Sequence, residues 1–240
     1  MQNYYKTIGA IVASSALVAG NASAEVEYEI HTGYSTDYIF RGLDLGEDLI
    51  ETGLSVSTEV AGFDVSAGAW YATFDDGTND FEELDLFSEI SKDLGFATAA
   101  VGHIYYHFPN AAGTSGSDTQ EVYFSLAKDF SGVSTSLTYF WEIEDVDSGS
   151  DGYLEAGADF PSYELNSCMT LNTGATLGYL VEEGDLAHLT AKVSIDYALT
   201  ETATISPYIA HSWALSDSVT SFYETSENQF WGGVSLSVSF

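Results

Sequence analysis

Twelve stretches of this sequence change character at every second residue, and the gaps between them alternate between short and long. The stretches fall near 26–41, 49–60, 63–74, 82–91, 96–108, 119–128, 132–143, 152–160, 163–180, 187–199, 202–213 and 229–240. In the seventh, Val133, Thr135, Leu137, Tyr139 and Trp141 share one side, while Ser134, Ser136, Thr138 and Glu142 share the other. Successive side chains of a strand point to opposite faces, so each stretch reads as a strand with one apolar and one polar face. A soluble sandwich shows the same alternation. The gaps discriminate. Ala61-Gly62, 92–95, 129–131, Pro161-Ser162 and Thr200-Glu201 are short, whereas 42–48, 75–81, 109–118, 144–151, 181–186 and 214–228 are mostly longer. Tight turns at one end and larger loops at the other, around an even number of strands, predict an all-β chain folded as a transmembrane antiparallel up-and-down β-barrel of about twelve strands.

The strand ends carry rings. Tyr38, Phe40, Tyr71, Tyr106, Tyr139, Trp141, Tyr179, Trp213 and Phe230 gather at the long-loop ends, and Tyr28, Phe63, Phe96, Tyr197 and Phe240 near the short-turn ends. Two such girdles around a Val, Leu, Ile and Ala band fit the two interfaces of a bilayer. The final stretch ends on the Phe240 carboxylate and resembles the terminal signal of outer-membrane barrels.

The amino terminus agrees. Lys6 precedes an apolar run from Ile8 to Ala19, followed by the small residues Ala22-Ser23-Ala24, which reads as a secretory signal over 1–24 with the barrel over 25–240. No later stretch is long and apolar enough for a spanning helix. The formal net charge of −32 excludes nucleic acid as a natural partner, because that binding rests on Lys and Arg meeting phosphates. A single cysteine, Cys168, permits no internal disulfide. Two stretches depart from the pattern. Pro207 lies within the eleventh and predicts a bulge or a local break in pairing. The ninth is longer than a spanning strand requires, so part of it is expected to project beyond the membrane.

The run Ser35-Thr36-Asp37-Tyr38-Ile39-Phe40-Arg41-Gly42 resembles the first-strand signature of the TorF-type porin family, also called the Gcw_chp family of exported bacterial outer-membrane proteins. The likeness continues through Glu83-Leu84-Asp85-Leu86, Tyr105-Tyr106-His107-Phe108-Pro109 and Tyr153-Leu154-Glu155-Ala156-Gly157. It implies an outer-membrane barrel of porin type without a defined substrate. After Arg-Gly, this chain carries Leu43-Asp44-Leu45-Gly46 in place of the family's more polar segment.

Arg41 is the chain's only arginine, and strand phase points it inward with Asp37. Glu51, across the first loop, is its expected partner, since a guanidinium grips a carboxylate with two bonds. Either a structural pair or a charged constriction would result. Glu83, Asp85, Glu89, Glu121 and Glu142 are inward by phase and, with Asp37, Arg41 and Glu51, are the expected lumen and selectivity residues. Rings of such carboxylates favour cations where water fills a lumen. The acidic clusters Asp75, Asp76, Asp80, Glu82, Glu83 and Asp145, Asp147, Asp151 lack the spacing of a calcium loop and read as solvated loops. His103 and His107 share a face but sit four residues apart, about 13 Å along a strand, too far for one metal. No metal, cofactor or catalytic motif is expected, because no serine motif pairs with a histidine.

The expected function is therefore an outer-membrane porin-like channel, with lipid around it and small hydrophilic solutes or cations passing through. A homo-oligomer is left open. The competing expectation is a non-conducting structural or binding barrel, plugged by inward rings such as Trp70, Phe74, Phe87, Tyr105, Tyr123 and Phe140.

Overall fold

The computed structural model describes residues 26–75, 80–109, 118–143, 152–216 and 227–240. The expected signal segment and the acidic residues Asp76, Asp145, Asp147 and Asp151 lie outside them. The described strands are β1 (Glu27–Phe40), β2 (Leu43–Val60), β3 (Phe63–Asp75), β4 (Asp80–Asp93), β5 (Thr98–His107), β6 (Thr119–Phe130), β7 (Val133–Glu142), β8 (Tyr153–Asp159), β9 (Tyr163–Asn166), β10 (Met169–Leu180), β11 (Asp185–Ala198), β12 (Ala203–Ala214) and β13 (Gln229–Ser239).

Each strand pairs antiparallel with its sequence neighbour, with β8 pairing to β10, and β13 returns to β1. Twelve strands thus close on themselves and leave no sheet edge. The extra element, β9, pairs only with β10 and makes a small exposed hairpin with it at the short-turn end. The long ninth stretch therefore projects by folding back at Ser167-Cys168, not by running on as one strand.

One residue in two faces the lumen, and the alternation shows in the burial. Ser66, Trp70, Ala72 and Phe74 of β3 are buried, as are Glu83, Asp85, Phe87 and Glu89 of β4. Ile50, Leu54, Ile90, Leu126, Leu137 and Ile209 are exposed on the outside. Trp141, Trp213 and Phe230 stand exposed towards the loop end, and Tyr28, Phe63, Phe96, Tyr197 and Phe240 towards the turn end. Both girdles are thus present on the outer surface.

Pro207 produces the expected local break. It pairs with Val234 on β13, while the ladder to β11 skips from Ser194–Tyr208 to Tyr197–Ile205 without a change of register. A proline lacks the N–H that this side of the ladder needs. Tyr208 consequently faces inward, where Lys192 lies 4.2 Å over its ring, and Ile209 faces out.

The phase of β5 differs from expectation. Ile104 and Tyr106 are buried in the lumen, so Tyr106 leaves the girdle and Tyr105 leaves the plug. Gly102 explains the choice, because the Tyr123 ring lies so close over it that a Cβ there would come within 2.1 Å of the ring. Only a strand with Gly102 inward lets that large ring lie flat against the wall.

Candidate functional site

The first hairpin leaves the barrel wall. β1 pairs with β13 only from Glu29 to Ser35, and β2 meets β3 only from Glu47 onwards. Between these points the two strands pair with each other alone, and register shifts fall between Tyr38 and Ile39 and between Glu47 and Ile50. Residues 37–46 therefore form a free two-stranded ribbon with a bulge at each root, and bulges bend strands. Its turn is Arg41-Gly42, with φ of 51° and 84°. Positive φ at both central residues is the two-residue hairpin turn that matches strand twist. The expected loop 42–48 is accordingly a continuation of β2.

The ribbon folds inward across the lumen at the loop end. The Tyr38 ring lies 5.0 Å from Phe74 and 5.8 Å from Trp70, and Leu43 and Leu49 are buried beside them. Gly42 abuts β11 so tightly that a Cβ there would come 2.6 Å from the His188 ring. Once the ribbon leaves the wall, both of its faces lie inside the barrel, so Tyr38 and Phe40 join the interior core instead of the outer girdle.

Arg41 sits at the ribbon's tip. Its Nη1 and Nη2 donate to Glu121 Oε1 and Oε2 on β6, each at 2.7 Å. The guanidinium lies 4.4 Å from the Phe140 ring centroid, 4.5 Å from Tyr153 and 4.7 Å from Phe40. Its side chain is 7 % exposed. A planar guanidinium satisfies such an environment because it stacks on rings while its edge grips a carboxylate. Tyr106 donates to Glu121 Oε2 at 2.9 Å and fixes the acceptor.

Glu51 is therefore not the partner of Arg41, as expected from sequence. It accepts from Trp70 Nε1 at 2.7 Å on the ribbon's own side of the lumen. The tip projects to the far wall, and closure of the barrel puts Glu121 there.

Among the other expected lumen residues, Glu89 accepts from Tyr123 at 2.8 Å and Glu142 from Thr119 at 2.6 Å. Asp37 is half-buried and accepts from Thr36. Glu83 and Asp85 are 3 % and 1 % exposed; their carboxyls lie against each other, Glu83 accepts from the Tyr38 hydroxyl of the ribbon, and neither Asp85 oxygen has a neutral donor among the described residues. The first acidic cluster is divided by strand period: Glu82 faces out and accepts from Tyr71, while Glu83 faces in. His103 and His107 share the outer face, the former bonded to Gln120 and the latter to Asp118. At the rim, bonds from Tyr105 and His107 hold the Asp118 carboxyl below the usual carboxylate range.

Sequence reasoning missed Tyr153 and His188 as parts of the site. Tyr153 Oη lies 2.8 Å from His188 Nε2, and His188 Nδ1 contacts Thr190, which donates to Ser212. Glu155, also buried, lies beside Arg41. The inward phase of Tyr153 and Glu155 in β8 was the available signal.

These features define a closed twelve-strand antiparallel β-barrel with an apolar exterior, a lumen filled by rings and carboxyls, and an internal ribbon across its loop end. The chain belongs to the Gcw_chp family, bacterial proteins of unknown function, whose family model matches residues 19–231. Its fold is similar to that of an outer membrane channel from Pseudomonas putida F1, at 11 % identity over 92 % of this chain and 97 % of that one, with a TM-score of 0.56. It is also similar to the NanC porin, at 14 % identity over 88 % and 98 % of the two chains, with a TM-score of 0.50. The KdgM porin in complex with disordered oligogalacturonate gives 11 % identity over 89 % and 99 %, also with a TM-score of 0.50. Among curated proteins, none matches the sequence.

Proposed function

We propose that this protein is exported by cleavage after Ala24, inserts in the outer membrane with its loop end outside, and passes small hydrophilic solutes with a preference for cations. The exposed apolar band and two girdles suit a lipid surround. The similarity of fold to known channels and the TorF-type resemblance support the same reading. The observation that carries the cation preference is the pair Glu83 and Asp85. Burying two carboxyls against each other is costly, and the lumen face holds both. Cations in transit would supply the missing partner, as charged rings do in cation channels.

The buried ribbon supports a second reading, in which the barrel does not conduct and the ribbon is a permanent plug. Purified protein in a planar bilayer under a salt gradient separates the two. Current steps with a reversal potential on the cation side are expected. Parent barrels that insert well but stay silent, and that conduct only after the ribbon is released, would establish the plug.

A further inference from the structure

The pocket around Arg41 has two parts of different mechanical standing. Glu121, Phe140 and Tyr153 stand on β6, β7 and β8, whose ladders run unbroken up to the pairs Glu121–Glu142 and Phe140–Tyr153. The occupant, Arg41, stands on the ribbon that has left the wall between its two register shifts. A fixed receptor is thus filled by a side chain on an arm that pairs with nothing but itself.

We infer that Glu121, Phe140 and Tyr153 form a binding site for the guanidinium group of a solute entering at the loop end, with Arg41 as a tethered stand-in that the solute displaces. The chemistry selects the class. Two parallel donors match both Glu121 oxygens, and two ring faces at 4.4 and 4.5 Å accept a flat, weakly hydrated cation. An ammonium makes a point contact and uses neither feature fully. Tyr106 orients Glu121, and buried Glu155 adds negative potential on the same side. Displacing Arg41 removes the ion pair that anchors the ribbon's turn, so binding loosens the ribbon. The tether gives Arg41 an effective concentration on the order of millimolar, which sets the solute level needed to compete.

Release as channel opening rests on the proposed function, whereas binding does not. Calorimetric titration of agmatine into the purified barrel in detergent tests binding, with butylamine as the ammonium comparison. Arg41→Ala is expected to bind agmatine about tenfold or more tightly than the parent, because the tethered competitor is gone. Adding Glu121→Gln should abolish that binding, and butylamine should bind more weakly than agmatine. Arg41→Lys, which keeps a cation at the tip, should fall between parent and Arg41→Ala and serves if the alanine variant does not fold. Equal binding by parent and variants, or binding indifferent to Glu121→Gln, would overturn the inference. A silent bilayer beside intact, Glu121-dependent binding would instead overturn the channel reading and leave the site standing.

Discussion

Arg41→Ala should raise single-channel conductance several-fold over the parent while lowering the barrel's resistance to urea. Both effects come from one contact. The ribbon is anchored across the lumen by two charge-assisted bonds to Glu121 and by stacking on Phe140 and Tyr153. Removing one partner leaves a buried carboxylate uncompensated, a loss of about 3–5 kcal/mol. Burial of Tyr38 and Leu43 holds the ribbon by about 1.5–3 kcal/mol each, so the anchor is comparable to the apolar grip. Its loss shifts the ribbon towards undocked states without breaking the wall, because residues 37–46 take no part in the ladders of β1 with β13 or of β2 with β3. Combining Arg41→Ala with Glu121→Gln should restore most of the urea resistance and keep the high conductance, because no buried charge is then stranded. A double variant as closed as the parent would mean that apolar packing alone shuts the mouth.

Asp85→Asn is expected to act in opposite directions on stability and selectivity. Both oxygens of Asp85 are buried without a donor among the described residues. A neutral amide of the same shape can donate to Glu83 and takes one of two adjoining acids out of the interior, a gain of about 1–3 kcal/mol. The same change removes one of two adjoining acids from the lumen face, so the reversal potential under a salt gradient should move towards zero. Retaining a residue that weakens the fold fits a lumen group kept for function. Urea unfolding and bilayer recording on one preparation read both effects. A variant less stable than the parent with unchanged selectivity would make Asp85 a structural residue.

The barrel was legible because lipid and water impose opposite demands on alternate residues, and Val133 to Glu142 answer both in turn. Closure also followed from the alternating gaps. What escaped was the place where the chain stops being wall. Nothing in the alternation of β1 shows that Tyr38 turns inward, because strand phase describes a residue relative to a sheet and the ribbon has left its sheet. The bulges at its roots have no composition signal stronger than Gly46. Arg41 was given Glu51, a carboxylate across the first loop, when its partner lies 80 residues away. Proximity along the chain is a poor guide inside a closed barrel, where the far wall faces every tip. Tyr105 and Tyr106 exchanged roles because adjacent tyrosines carry no phase, and Gly102 beneath the Tyr123 ring settled it.

The docked ribbon can be observed directly, since the chain has one arginine and ¹⁵N-arginine labelling gives a single guanidinium. Nitrogen–carbon dipolar recoupling on the reconstituted barrel, with ¹³C-labelled glutamate carboxyls, measures whether a carboxyl lies against it. The 2.7 Å contacts require strong dephasing that disappears in Glu121→Gln. A guanidinium that shows no dephasing, as it would on a ribbon standing free in water, contradicts the account.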